Sequence, residues 1–161
     1  MRIRNRQRLR RKEAGDLAAT LATQFGCAVF DPDLPIDIAE ADGYRVVLVD
    51  GKAVALLHGE RPVLTVRGAI AYQPTKRFVT VDMGAVKYVY NGADVMAPGI
   101  LAADPGIAPG DLVWVRDERN LRPLAVGEAL MTGAEMNVAE KGKSVKTVHH
   151  VGDDLWKLEE P

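Results

Sequence analysis

Apolar positions at the start of the chain recur at helical spacing. Leu9, Leu17, Leu21 and Phe25, helped by Ala14 and Ala18, can share one face, which predicts a helix from about Arg4 to Phe25 ended by Gly26. Asp31-Pro32-Asp33-Leu34-Pro35 reads as a turn, because proline fixes its own dihedral and biases the residue before it away from helix. A short helical or irregular piece is expected over Ile36 to Ala41. Tyr44 to Val49 is rich in Val and Leu, Asp50-Gly51 suits a tight turn with positive dihedrals, and Ala53 to Leu57 supplies a return strand. Val63 to Val66 predicts another strand, and Tyr72 to Arg77 a polar connector between two domains.

The pattern changes after that connector. Phe78 to Val81 predicts a strand, Asp82 caps a helix running to about Tyr90, and Asn91-Gly92 ends it. Val86, Val89 and Tyr90 are expected to face a core, with Lys87 and Asn91 one turn apart on the opposite side. Loops follow at Pro98-Gly99 and from Pro105 to Gly110. Strands are then expected over Leu112 to Arg116 and Leu124 to Met131, a turn around Glu135 to Asn137, and a last strand from about Ser144 to Val151. The fold class is α+β: residues 1–76 form a small α/β domain, and residues 77–161 a mostly β, barrel-like one.

Charge adds what hydrophobicity does not show. The net charge is only -1, yet Arg2, Arg4, Arg6, Arg8, Arg10, Arg11 and Lys12 all precede the first acid, Glu13. From there to Glu60 acids dominate, opposed only by Arg45 and Lys52, so a polyanion can meet only selected surfaces. No apolar run is long enough for a membrane span, and the basic start is not followed by the apolar stretch of a signal peptide. With Cys27 alone, no intrachain disulfide forms and no zinc-ligand spacing exists, so a cytoplasmic protein without metal or cofactor is expected.

Candidate chemistry is sparse. His149 and His150 are adjacent in a predicted strand and point to opposite faces, which suits a hydrogen-bonded structural role for His149 better than chelation. Trp114 and Trp156 read as packing residues. There are no paired carboxylates, nucleophile and base, or phosphate-binding Gly-rich motif, so no enzymatic activity is expected. Gly92 and Gly99 would let a sugar-phosphate chain approach the backbone beside Lys87. Spacing alone favours glycines that simply make turns.

Resemblance shifts that weight. The run Gly92-Ala93-Asp94-Val95-Met96-Ala97-Pro98-Gly99-Ile100 resembles the Gly-Ala-x-x-Met-x-Pro-Gly-Ile loop of the PUA domain, an RNA-binding module named after pseudouridine synthases and archaeosine transglycosylases. Pro109-Gly110-Asp111-Leu112-Val113-Trp114-Val115 and Leu124-Ala125-Val126-Gly127-Glu128-Ala129 resemble two of its strands in order and spacing. The end, from Lys141 to Trp156, is similar to archaeal relatives of the malignant T-cell amplified sequence protein, which carry a C-terminal PUA domain behind a small α/β domain. The resemblance implies an RNA-binding protein of translation or ribosome function, gripping tRNA or rRNA. The small ribosomal subunit or an initiation-factor-like protein is an implied partner, and a protein-protein adaptor or an accessory subunit of an RNA-modification enzyme is the alternative role. The expected RNA surface comprises Lys87, Asn91, Gly92, Ala93, Met96, Lys143 and Lys146.

Overall fold

The computed structural model describes residues 2–41 and 43–158; Met1, Asp42 and residues 159–161, the ends of the two expected domains among them, lie outside the described residues. Two sheets share the strands. The first is five-stranded in the order β1-β2-β3-β4-β5, made from Ile3–Arg8, Ile36–Ala41, Tyr44–Val49, Lys52–His58 and Arg61–Leu64. Every pairing in it is antiparallel. The predicted hairpin is its centre, and Asp50 and Gly51 take the expected positive φ values of 51° and 77°.

Three expectations in this half are corrected. The predicted first helix is strand β1 followed by helix α1, Arg11–Phe25. Its first residues alternate arginine with other side chains, and Arg6 and Arg8 are drawn to Asp37 on β2 at 2.6 Å each. A bulge makes this possible: Arg4 faces Glu40 and Gln7 faces Ile38, with Asn5 at φ 53° taking up the extra residue. The segment Ile36–Ala41 is the strand that receives β1 rather than a helical or irregular piece. Lastly, Val66–Tyr72 is a helix, α2, where Val66 was expected to end a strand and Tyr72 to begin a connector. Thr65 starts it, its hydroxyl accepting from Gly68 N–H at 3.0 Å and donating to the Ala53 carbonyl at 2.8 Å.

The second sheet has six strands in the order β7-β11-β10-β9-β6-β8. β6 is Phe78–Val81, β7 Val95–Met96, β8 Ile100–Ala103, β9 Leu112–Asp117, β10 Pro123–Ala129 and β11 Lys143–His150. Only β6 and β9 run parallel. Helix α3, Met83–Tyr90, follows β6, a 3-10 turn at Ala97–Gly99 joins β7 to β8, and the expected turn near Glu135 is a short helix, α4, Gly133–Met136. The two-residue β7 and the edge strand β8 carry too little alternation to be visible in the sequence.

Each sheet has its own core. Leu21, Phe25, Val46, Leu48, Leu56 and Leu64 fill the first; Val79, Val81, Val113, Val115, Leu124 and Val145 fill the second. Trp114 and Val126 of the second sheet are buried against the first core, so the seam between the sheets is apolar. The indole N–H of Trp114 donates to the Lys76 carbonyl at 2.8 Å, in line with a packing role. Polar contacts lace the same seam. Val66 N–H, at the start of α2, donates to His149 Nε2 at 3.2 Å, and Tyr44 donates from its hydroxyl to the Val148 carbonyl at 3.0 Å. Arg67 lies 3.8 Å from the centre of the Trp156 ring while its guanidinium donates to the Trp156 carbonyl.

Candidate nucleic-acid interface

Helix α3 is set by its cap. Asp82 Oδ1 accepts from Ala85 N–H at 2.8 Å, and Asp82 N–H donates to the Gly99 carbonyl at 2.9 Å, which fastens the helix start to the loop that returns past it. Val86 and Val89 are buried as expected. Tyr90 is not: it is 40% exposed, because the core-facing stripe of so short a helix holds only the two valines. The opposite face presents Lys87, whose ammonium lies 5.1 Å from the centre of the Tyr88 ring, itself 58% exposed.

The chain after α3 is fastened to the last strand. Gly92 takes φ +82°, a conformation that favours glycine, and a Cβ there would stand 2.8 Å from His150 Nε2. Thr147 on β11 fixes the next two residues, its hydroxyl donating to the Ala93 carbonyl at 3.0 Å and its N–H to Asp94 Oδ1 at 2.9 Å. β7 then pairs with β11, placing Met96 beside Lys143 and Val95 beside Val145. A pocket of about 490 Å³ opens under this loop, with Tyr88, Val89, Ala93, Met96 and Pro98 along its walls and Asp82 and Asp94 as its acids. Met96, 46% exposed, stands at its rim.

The sequence-predicted residues fall unevenly around this pocket. Ala93 and Met96 line it, Gly92 precedes Ala93 in the chain, and Lys143 pairs with Met96 across the strands. Lys143, its side chain exposed, reaches the partly buried Asp94 at 3.4 Å. Asn91 is exposed at the end of α3, and Lys87 stands on that helix. Lys146 is exposed but pairs in register with Glu128 on β10, on the other side of β11 from β7.

Sequence reasoning passed over Tyr88, Asp94, Thr147 and His150. Asp94 lay inside the quoted loop and His150 was weighed only as a metal ligand; Thr147 gave no separate signal, since its importance comes from a pairing 53 positions apart in the chain. His150 is informative. Its Nδ1 lies 2.9 Å from the Val151 carbonyl, which can only accept, so Nδ1 carries a proton and the ring is turned with Nε2 toward Gly92. His149 also carries a proton on Nδ1, for another reason: Nε2 accepts from Val66, so Nδ1–H faces Asp153 at 2.8 Å. His149 is 1% exposed, fully buried where partial burial was expected.

Burial pushes the Asp153 carboxyl upward, but the hydrogen bond from His149, with those from the N–H groups of Trp156 and His150, outweighs it and holds the pKa below the ordinary aspartate value. Among the described residues no group of three or more His, Cys, Asp or Glu side chains is placed to hold a metal ion. No helix of the described residues is long and apolar enough to cross a membrane.

Known proteins share this architecture. A PUA domain matches residues 77–151. An uncharacterized protein of Methanocaldococcus jannaschii is 39% identical over 162 aligned positions, covering 98% of this chain and 99% of that protein. Translation machinery-associated protein 20 of Saccharomyces cerevisiae is 31% identical over 73% of this chain and 68% of its own length. The crystal structure of a hypothetical protein from Pyrococcus horikoshii superposes with a TM-score of 0.83 at 34% identity, covering 94% of this chain and 98% of the other. With its capped α3, its Gly-Ala loop closed by the last strand, and relatives that match both sheets, this chain belongs to the PUA-domain family that includes translation machinery-associated protein 20.

Proposed function

We propose that this protein binds a structured RNA of the translation machinery, tRNA or rRNA, and performs no chemistry on it. It acts in the cytoplasm as two domains, residues 1–76 and 77–161, with the RNA surface on the second. One observation supports the reading: the loop from Asn91 to Met96 is fastened to β11 so that an apolar pocket and the ammonium of Lys143 stand side by side. Such a site suits RNA. Phosphates meet Lys87, Lys143 and Lys146, the backbone at Gly92 and Ala93 admits a sugar edge, and an unstacked base rests against Met96 and Tyr88. The name of the yeast relative places that protein with the translation machinery, which supports the choice of RNA.

The test is RNA affinity at several salt concentrations, with purified tRNA and an rRNA fragment as probes. Replacing Lys87, Lys143 and Lys146 together by Ala is expected to weaken binding to both and to flatten the salt dependence by about two to three counterions. A folded triple variant with unchanged affinity and slope would remove this surface. Because Lys146 stands opposite Glu128, its single replacement by Ala is expected to change the slope least of the three.

A further inference from the structure

The arginine-rich start of the chain is the motif that the loop site does not use. Fold and ion pairing divide it into two sets. Arg6 and Arg8 are spent on Asp37 at 2.6 Å each, and Arg11 on Asp33 at 2.7 Å. Arg2, Arg4, Arg10 and Lys12 are exposed and, among the described residues, have no carboxylate within ion-pair distance. The acids of the first sheet therefore neutralise one set and leave the other to solvent.

Their placement runs against local stability. Arg10 is the N-cap of α1 and Lys12 lies in its first turn, where the aligned peptide dipoles present positive charge and acidic residues are preferred; Glu13 is the one acid of that turn. Ahead of them β1 is an edge strand, bonded to β2 on one side with its other edge open. Exposed cations held in no ion pair, though Arg4 stands in register with Glu40, form on this edge strand a surface for a phosphate backbone.

We propose that Arg2, Arg4, Arg10 and Lys12, along the open edge of β1 and the start of α1, form a second RNA-backbone contact, separate from the loop site on the other sheet. The proposal rests on the reading that the chain binds RNA. It extends the contact to the first sheet and gives the N-terminal half a part in affinity without sequence preference. RNA is favoured over an anionic membrane because residues 2–12 carry no exposed large apolar side chain, Ile3 and Leu9 being packed against the first core, and the neighbouring exposed Leu34 is a lone side chain rather than an apolar face.

The experiment compares three full-length variants with the wild type on the same tRNA over a salt series. The first is R2Q/R4Q/R10Q/K12Q. The second, K52Q/R119Q/R122Q/K157Q, removes the same charge from exposed cations elsewhere. The third is the triple-lysine variant of the loop site. Thermal melts check folding. The first variant is expected to lose about two to three from the salt slope and about tenfold in affinity at low salt, with the second within twofold of wild type. Ultraviolet crosslinks are expected within residues 2–12 in the wild type and still in the loop variant. A first variant that is folded and keeps the wild-type slope overturns the proposal, as does an equal loss in the second. Loss confined to the loop variant sinks the second surface and keeps the first; loss confined to the quadruple variant does the reverse. Vesicles of phosphatidylcholine with phosphatidylserine are the remaining arm. If the first variant loses vesicle binding while its RNA slope is unchanged, the patch belongs to lipid and the proposal falls.

Discussion

Two glycines carry unlike constraints, and only one was legible. Gly92 sits in a run whose spacing already marked a turn, and both its φ of +82° and the nearness of His150 forbid a side chain. Replacing Gly92 by Val is expected to cost about 1–3 kcal/mol in stability through the forced conformation and to lower RNA affinity, read by urea denaturation and by binding at fixed salt. Gly68 gave no signal, because its helix was not foreseen. A Cβ there would stand 1.9 Å from the Val54 carbonyl oxygen, so α2 rests directly on the backbone of β4. Gly68→Ala is expected to be among the most damaging single-methyl changes in the chain, lowering the urea midpoint more than Gly15→Ala, where a Cβ meets nothing within 4 Å.

Among the elements, β1 shows why periodicity misled. Ala14, Leu17, Ala18, Leu21 and Phe25 do make a helical stripe, but its extension backwards to Arg4 rested on Leu9 alone, which lies ahead of the helix. What settles the segment is Asp37, a carboxylate on another strand that no local pattern reveals. Burial pushes Asp37 upward, yet hydrogen bonds and charge from Arg8 and Arg6 outweigh it and leave its pKa below the ordinary value. A depressed folded-state pKa gives stability that is complete above the unfolded value, roughly 4, and is lost as pH falls through the folded one. Asp153 has the same sign. The urea midpoint is thus expected to hold from about pH 7 to 5 and to fall below about 4. Asp37→Asn is expected to cost ~1–3 kcal/mol at neutral pH and to make the acid decline shallower; an unchanged decline would show that the Arg pair does not set it.

At the scale of the whole molecule, the mostly β character of the second sheet and the loop motif were readable, since strand alternation and turn residues are local. The seam between the sheets was not. It depends on His149 offering its acceptor to Val66, 83 positions away, and on Arg67 meeting Trp156. His149→Ala would leave the Val66 N–H and the Asp153 carboxylate without their partner in a buried site. A loss of about 2–4 kcal/mol is expected, together with a smaller denaturant slope as the sheets cease to unfold as one unit. Coincident, unshifted transitions by fluorescence and circular dichroism would contradict a coupling role for this histidine.

The loop proposed to face RNA is completed by β11, the last strand in the chain order, through Thr147 and the pairing of Lys143 with Met96. That ordering has a consequence in time. While the protein is being made, residues 91 to 96 leave the ribosome well before the strand that shapes them, so a nascent or prematurely ended chain presents the loop sequence without the loop. If the loop is the RNA site as proposed, competence for RNA arrives late, and an unfinished copy lacks the strand partners that order the loop.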